Sequence, residues 1–500
     1  MEVQIERQAI EVERLVGNRS AQVLVRAEAL VPGAGRDAVE PLLSDANLFI
    51  VNSDLQDDRI VIEGSLSCQT VYRQGEESLV RALAAKTTLS HVIEIPGAKE
   101  GMLSRVRADV DHVEARYENG HIVFQAACTI RVWVLALSPA EVIRSVGGEE
   151  GLQTSYAPLK SVKLAAESSE ITLLKDAVSL PAALEARMPL MDWMAVEIDE
   201  VQPDLGGVRV KGAAMVETLL ASGVNGRPAA LVRYPLRIDQ LVELPEWLTS
   251  QVFAEADVRS VQSRLQPAGD GEGDLSLECE AEVRIRVYAC ATDSAEALTD
   301  VYATQGESVE TQTAQLDFCS AAERFHTTEP VRGTLFLGEN EPGAGTVIAV
   351  RAHPTIGEWR NENGRCRIDG VLESAVLYIP AGSGVPASTA SELPFTLTLP
   401  VMLDEDAMID LQVNSAEASA LMSDRFEIKA QMSVSCETRR REQMEVVSGI
   451  TPAGPLPRRP GIVICWPDAG ETAWNMGKRY GVPAAQVGDI EKGGPVVLRI

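Results

Sequence analysis

Apolar and polar positions alternate with a period of two over most of the chain, and three of the alternating runs share an interior landmark. Ile60 to Tyr72, Val208 to Leu220 and Cys366 to Tyr378 each carry a glycine at the fifth position, at Gly64, Gly212 and Gly370. The period predicts strands. Glycine inside a strand weakens it and marks a bulge or a close backbone approach, so its recurrence predicts a repeated unit. A polar loop and a shorter strand ending in proline follow each run: Val92 to Pro96, Leu241 to Pro245 and Thr396 to Pro400. The glycine-to-proline separations are 32, 33 and 30 residues.

A hairpin follows in each copy and is clearest in the first, where Val110 to Tyr117 leads through Glu118-Asn119-Gly120 into His121 to Val134. Asn-Gly predicts a type I′ turn, because both central positions need positive φ. The return strand puts Ile122, Phe124, Ala126, Cys128, Ile130 and Val132 on one face. Its counterparts are Leu275 to Ile285, after a longer Gly- and Asp-rich turn at Pro267 to Asp274, and Phe426 to Val434. Upstream, Ala21 to Val31 predicts a further strand, and Pro32 to Leu43 a short helical or turn element.

The expected fold is therefore mainly β, with three antiparallel β-sandwich or barrel-like repeat domains at 20–136, 170–292 and 330–446. Intervening segments such as Leu137 to Ser169 are too long for tight repeat stacking and predict separate domains. Thr451 to Pro460 reads as an extended proline-rich spacer. Residues 461–500 then read as a small βααβ module: strand Ile462 to Trp466, helices Glu471 to Tyr480 and Pro483 to Asp489, and strand Val496 to Ile500. Gly481 ends the first helix, and Pro483 suits the first turn of the second.

Composition agrees with several modest β domains: 500 residues exceed one core, and 45% hydrophobic with only 4% aromatic means interiors of Val, Ile, Leu and Ala. The net charge of −28 repels phosphate backbones and anionic lipid, and no basic stripe compensates, which argues against nucleic-acid binding as a main activity. The longest apolar run, Val132 to Leu137, is too short to span a bilayer. The opening residues MEVQIERQAIEVERLV carry charge throughout, so export by a signal peptide is not expected.

Chemistry is sparse. The eight cysteines form no CxxC pair or zinc spacing and read as reduced, buried thiols. The five histidines, at 91, 112, 121, 326 and 353, stand in no metal or nucleophile motif, and phosphate-cradling, GxSxG and dinucleotide patterns are absent. No enzyme activity, cofactor or metal is expected. In the module, Glu471, Thr472, Trp474 and Arg479 are the candidate partner-binding residues, with helix capping, solvated charge and a core role for Trp474 as the competing readings.

The module resembles the LysM domain through Gly470-Glu471-Thr472-Ala473-Trp474-Asn475-Met476-Gly477-Lys478-Arg479-Tyr480-Gly481-Val482 and the closing Val497 to Ile500. Ala473, Gly477 and the shortened stretch from Val487 to Pro495 depart from that family's pattern, at the end where its members bind sugar. Three such β-repeats ahead of a LysM-like module resemble the SPOCS-domain (SipL-like) sporulation proteins, with Arg36-Asp37-Ala38 in place of the usual Pro-Asp-Ile. The resemblance implies a non-enzymatic spore coat protein in the mother-cell cytoplasm at the forespore surface. It implies binding to the coat's basement-layer morphogenetic ATPase, partly through the module. The alternative is a peptidoglycan-binding LysM protein that recognises N-acetylglucosamine glycan.

Overall fold

The computed structural model describes the chain except for residues 1–2, 34–37, 76–78, 149–150, 246–247, 249–250, 268–274, 457–460, 469, 488–494 and 500. It is mainly β, 80% strand and 3% helix, in small antiparallel sheets of three strands. The first six strands are β1 (Gln4–Leu30), β2 (Val39–Gln56), β3 (Arg59–Gln74), β4 (Val80–Glu94), β5 (Leu103–Glu118) and β6 (His121–Gly147). They form two sheets, β1-β6-β5 and β2-β3-β4. The next six are β7 (Leu152–Leu180), β8 (Ala186–Asp204), β9 (Gly207–Ser222), β10 (Ala229–Glu243), β11 (Gln251–Pro267) and β12 (Leu275–Ala303). These repeat the arrangement as β11-β12-β7 and β10-β9-β8. A third set, β13 (Glu307–Phe336), β14 (Thr346–Glu362), β15 (Arg365–Ile379), β16 (Ala387–Leu399), β17 (Met408–Met422) and β18 (Arg425–Pro455), forms β13-β18-β17 and β14-β15-β16. In every unit the first strand pairs with the last, and the middle three make a meander.

The recurring glycines have one structural reason. Gly64, Gly212 and Gly370 face Ile50, Ile198 and Ile356 across the sheet, each immediately before a register shift in the preceding strand. A bulge puts an extra residue of that strand opposite the glycine, and the backbones crowd. A Cβ at Gly212 would collide with the Glu197 carbonyl oxygen, and one at Gly370 with the Thr355 carbonyl oxygen and the Phe395 ring. At Gly64 the nearest atoms are Leu48 Cδ1 at 3.2 Å and the Phe49 carbonyl oxygen at 3.3 Å. Asn119 and Gly120 both take positive φ, 50° and 86°, as the hairpin requires, and Asn363-Gly364 makes the same turn at 52° and 76°. The strands before Pro96, Pro245 and Pro400 are longer than the alternation suggests: β4, β10 and β16 run 15, 15 and 13 residues. Their first halves, such as Val80 to Lys86, are rich in Ala, whose burial contrast is weak.

The segments expected to separate the domains are paired strand instead. Residues 137–147 of β6 continue against β1, and β7 begins at Leu152. In each unit the first and last strands run on past the sheet as a two-stranded ribbon, and the three ribbons pack together. Ile10, Val12 and Val142 meet Leu159, Ala297, Phe318 and Val446 in one shared cluster. Ile143, Leu298, Val301, Val447 and Ile450 form another. Leu43, Val71, Met191, Trp193, Leu219, Ala349 and Leu377 join the three units at the meander sheets. Each unit also has its own core. Thr451 to Pro455, read as spacer, is the end of β18 and pairs only with β13 there, so the prolines cost no sheet hydrogen bond on the open side. Pro41 to Leu43 lie in β2, and the expected helical or turn element is reduced to a turn at Pro32-Gly33, ahead of residues outside the described set. The Gly-rich turn 268–274 also lies outside it.

The last residues form β19 (Ile462–Cys465), α1 (Ala473–Tyr480), α2 (Ala484–Val487) and β20 (Val496–Arg499), with β19 antiparallel to β20. Cys465, Met476, Val482, Val487, Val496 and Leu498 make a small core of their own.

Candidate functional site

The four candidate residues fall at the start and on the faces of α1. Thr472 is the N-cap, its hydroxyl accepting from the Asn475 N–H at 3.2 Å. The Glu471 carboxylate accepts from the Asp468 N–H at 3.0 Å and pairs with Arg479 at 2.8 Å, its side chain nearly buried. Arg479 also reaches Asp468 at 3.4 Å. Thr472 therefore caps the helix, the role that N-cap preferences anticipate, while Arg479 in the last turn ties back to Glu471 and Asp468 ahead of the helix start.

Trp474 does something else. Its indole N–H donates to Asp300 Oδ2 at 2.8 Å, and its ring meets Tyr302 edge-on with centroids 4.9 Å apart. Lys478 Nζ reaches Asp300 Oδ1 at 2.6 Å. Tyr302 in turn donates to the Val482 carbonyl at 3.0 Å, and a Cβ at Gly477 would collide with the Tyr302 hydroxyl. Gly477, a departure from the LysM pattern, is thus the residue that lets β12 approach the helix. The helical face of the module is docked on the second unit. Replacing Asp300 with Ala removes the acceptor for both Trp474 and Lys478. We expect the Trp474 fluorescence to shift to the red and residues 461–500 to be cleaved faster in limited proteolysis, with the unfolding midpoint of the β units unchanged.

The second candidate region lies where the three units meet, around a cavity of about 570 Å³. Its lining includes Asp45, Lys86, Arg107, Asp109, Asp192, Asp257, Arg351, His353 and Asp410. Counting back from the bulges at Val110, Val258 and Val413 makes Arg107, Glu255 and Asp410 equivalent positions in β5, β11 and β17. Arg107 Nη2 lies 3.1 Å from Glu255 and 3.6 Å from Asp410. Three identical units would place three like charges here. The three units instead carry one cation and two anions at these positions, and the cation attracts both anions.

Other buried ion pairs tie the units together. Arg105 reaches Glu255 of the second unit at 2.7 Å and Glu437 of the third at 2.6 Å, and stacks on the Tyr288 ring at 3.9 Å. Glu13, fully buried, accepts from Arg439 at 2.7 and 3.0 Å and from the Leu164 N–H at 2.8 Å, so one carboxylate of the first unit joins the other two. Asp45 meets Arg351 at 3.0 Å and His353 at 2.9 Å. Burial pushes the Glu255 carboxyl up, but Arg107, Arg105, Arg324 and Arg286 together outweigh it and hold it far below the ordinary range. Glu437 is lowered in the same way, burial opposed by Arg105 and Arg439. Asp109 goes the other way: burial, helped by nearby Asp410, raises it despite Arg131. Most of the buried pairs join one unit to another, so the region acts as a clamp between units.

All eight cysteines are buried and free, and burial pushes the thiols of Cys68, Cys128, Cys319 and Cys436 up to about 12, which leaves them unreactive. Among the described residues no cluster of His, Cys, Asp and Glu could hold a metal ion, and no helix is long and apolar enough to cross a membrane. Sequence reasoning missed Asp300, Tyr302 and the inter-unit charges. Alone in its strand each reads as an ordinary surface residue; only the alignment of bulges, itself invisible in the sequence, brings the charges into register.

Among known families, residues 40–118 match the one described as SipL, SPOCS domain. The matched segment covers the meander β2-β3-β4 with Gly64 and Pro96, and β5 up to the Asn119-Gly120 turn. This match suggests a sporulation-related function. No curated protein and no solved structure matches the chain.

Proposed function

We propose that the chain is a non-enzymatic spore coat morphogenesis protein that binds the coat's basement-layer morphogenetic ATPase and helps localise the coat around the forespore, from the mother-cell cytoplasm. The observation that carries this reading is the match of residues 40–118 to the SPOCS domain. The same sheet order in the other two units supports treating them as further copies of that domain. The strand-helix-helix-strand order of residues 462–499 supports treating the tail as a LysM-like module. Commitment of the Trp474 indole N–H to Asp300, with its ring edge-on to Tyr302, supports a docked helix over an open sugar-binding loop and favours a protein partner. Clamped units suit a rigid adaptor.

The test is localisation in sporulating cells. A fluorescently tagged full-length chain should encircle the forespore when the ATPase is present and spread through the mother cell when it is deleted. Diffuse signal in both strains, or an unchanged ring without the ATPase, would overturn the reading. Deleting residues 461–500 should reduce binding of the purified ATPase at least tenfold.

A further inference from the structure

The sheet of β19 and β20 has two apolar faces. Toward the helices it presents Cys465, Val496 and Leu498, which pack with Met476, Val482 and Val487. Away from them Ile462, Ile464, Trp466 and Val497 are 64%, 57%, 66% and 56% exposed. Ile462 and Ile464 alternate along β19 and Ile464 is the cross-strand partner of Val497, so these three share one face, with the exposed Trp466 next in the alternation just past the strand's end. A sheet covered on one side ordinarily turns polar residues to water on the other. These four are among only nineteen exposed large hydrophobics described in the whole chain, so the patch is a concentration and not background. The helix side of the module is already docked through Trp474 and Lys478 on Asp300 and Tyr302.

Charge narrows what covers this face. Residues 461–500 hold four acidic and four basic side chains, so the module is neutral and the whole net charge of −28 belongs to residues 1–460. A second copy of the chain would bring an equal negative body against the first. The four side chains offer roughly 400–500 Å², short of the ~800 Å² per partner that a stable interface buries. An occupant must therefore add attraction beyond the apolar contact. Basic side chains beside an apolar stripe would supply it by attraction to the acidic body. The inner face of the same sheet already accepts helices, and a helix laid on the outer face would complete a helix-sheet-helix stack.

We infer that the outer face formed by Ile462, Ile464, Trp466 and Val497 is a docking surface for an amphipathic helix with basic flanks carried by another protein. The inference rests on the reading of the chain as a protein-binding adaptor. It locates the contact on the sheet of the module and not on Glu471, Thr472, Trp474 or Arg479.

The probe is a labelled 18-residue Leu/Lys amphipathic helix, titrated into the full-length chain by fluorescence anisotropy. The comparison peptide has the same charge with Ser in place of Leu. The wild-type chain should bind the amphipathic peptide at least tenfold more tightly than the polar one. Ile464→Asp and Val497→Asp should each remove that preference, whereas Leu173→Asp, an equal charge change at an exposed site on β7, should leave it within twofold. Both module substitutions sit on solvent-facing side chains, so a retained unfolding midpoint identifies loss of binding and not of fold. Equal binding by wild type and Ile464→Asp, or no preference over the polar peptide, overturns the inference. Purified coat ATPase separates the two proposals. Binding to wild type and Ile464→Asp alike removes this surface but leaves the proposed function standing; discrimination among peptides without any ATPase binding does the reverse.

Discussion

Replacing Arg439 with Met is expected to destabilise the whole three-unit body by about 3–5 kcal/mol, the cost of leaving a buried charge without its counter-ion. Glu13 is fully buried, and without Arg439 its carboxylate keeps only the Leu164 N–H and Arg441, the latter 3.8 Å away. Chemical denaturation monitored by circular dichroism should show one transition at lower denaturant. The double substitution Glu13→Gln with Arg439→Met removes both charges but keeps an acceptor for the Leu164 N–H. It should recover most of the loss, because a paired buried charge contributes little net stability over a neutral replacement. If the double variant is no better than the single, packing and not charge explains the site. Acid should act on the same clamp. The Glu255, Glu437 and Asp45 carboxyls are held below their ordinary values of 4.5, 4.5 and 3.8, so their contribution is complete above about pH 5 and is lost as pH falls through the lowered values. Asp109, raised by burial, offsets part of that loss.

The recurring glycines give the second large effect, and it is unequal. Gly212→Ala and Gly370→Ala should each cost about 1–3 kcal/mol or more, since the added methyl meets a backbone carbonyl that a bulge holds in place. Gly64→Ala should cost less, because Leu48 Cδ1 at 3.2 Å belongs to a side chain that can move, leaving the Phe49 carbonyl at 3.3 Å as the tight contact. Thermal unfolding of the three variants side by side checks the order. Equal losses at all three would mean that strand propensity, and not the bulge contact, sets the need for glycine.

Much of the fold was legible because its signals are local. Period-two alternation, a glycine at one place in three strands and Asn119-Gly120 each depend on a few neighbouring residues. What stayed hidden depends on partners far away in sequence. Leu137 to Ser169 looked like a spacer because its apolar residues are buried against the other units, and the alternation does not say which strand covers them. Nothing local marks Arg107, Glu255 and Asp410, because Arg107 finds both of its partners in the other two units. Pro452 and Pro455 suggested an extended connector, yet an open strand edge tolerates them. In the module, Thr472 and the helix were readable from capping chemistry, whereas the commitment of Trp474 was not, since Asp300 and Tyr302 lie more than 170 residues earlier.

The bond between Glu13 and Arg439 also sets a timetable for making the protein. The two residues are 426 positions apart, and Gln4 of β1 pairs with Gly147 of the same unit. At a synthesis rate of roughly 5–20 residues per second, the carboxylate leaves the ribosome about 20–90 s before its cation. Until then the ribbon of the first unit keeps Ile10, Val12 and Val142 without the third-unit residues Phe318 and Val446 that cover them. The nascent chain thus spends most of its synthesis with an apolar flank open, and a chain truncated after the second unit would be a candidate for chaperone capture and aggregation.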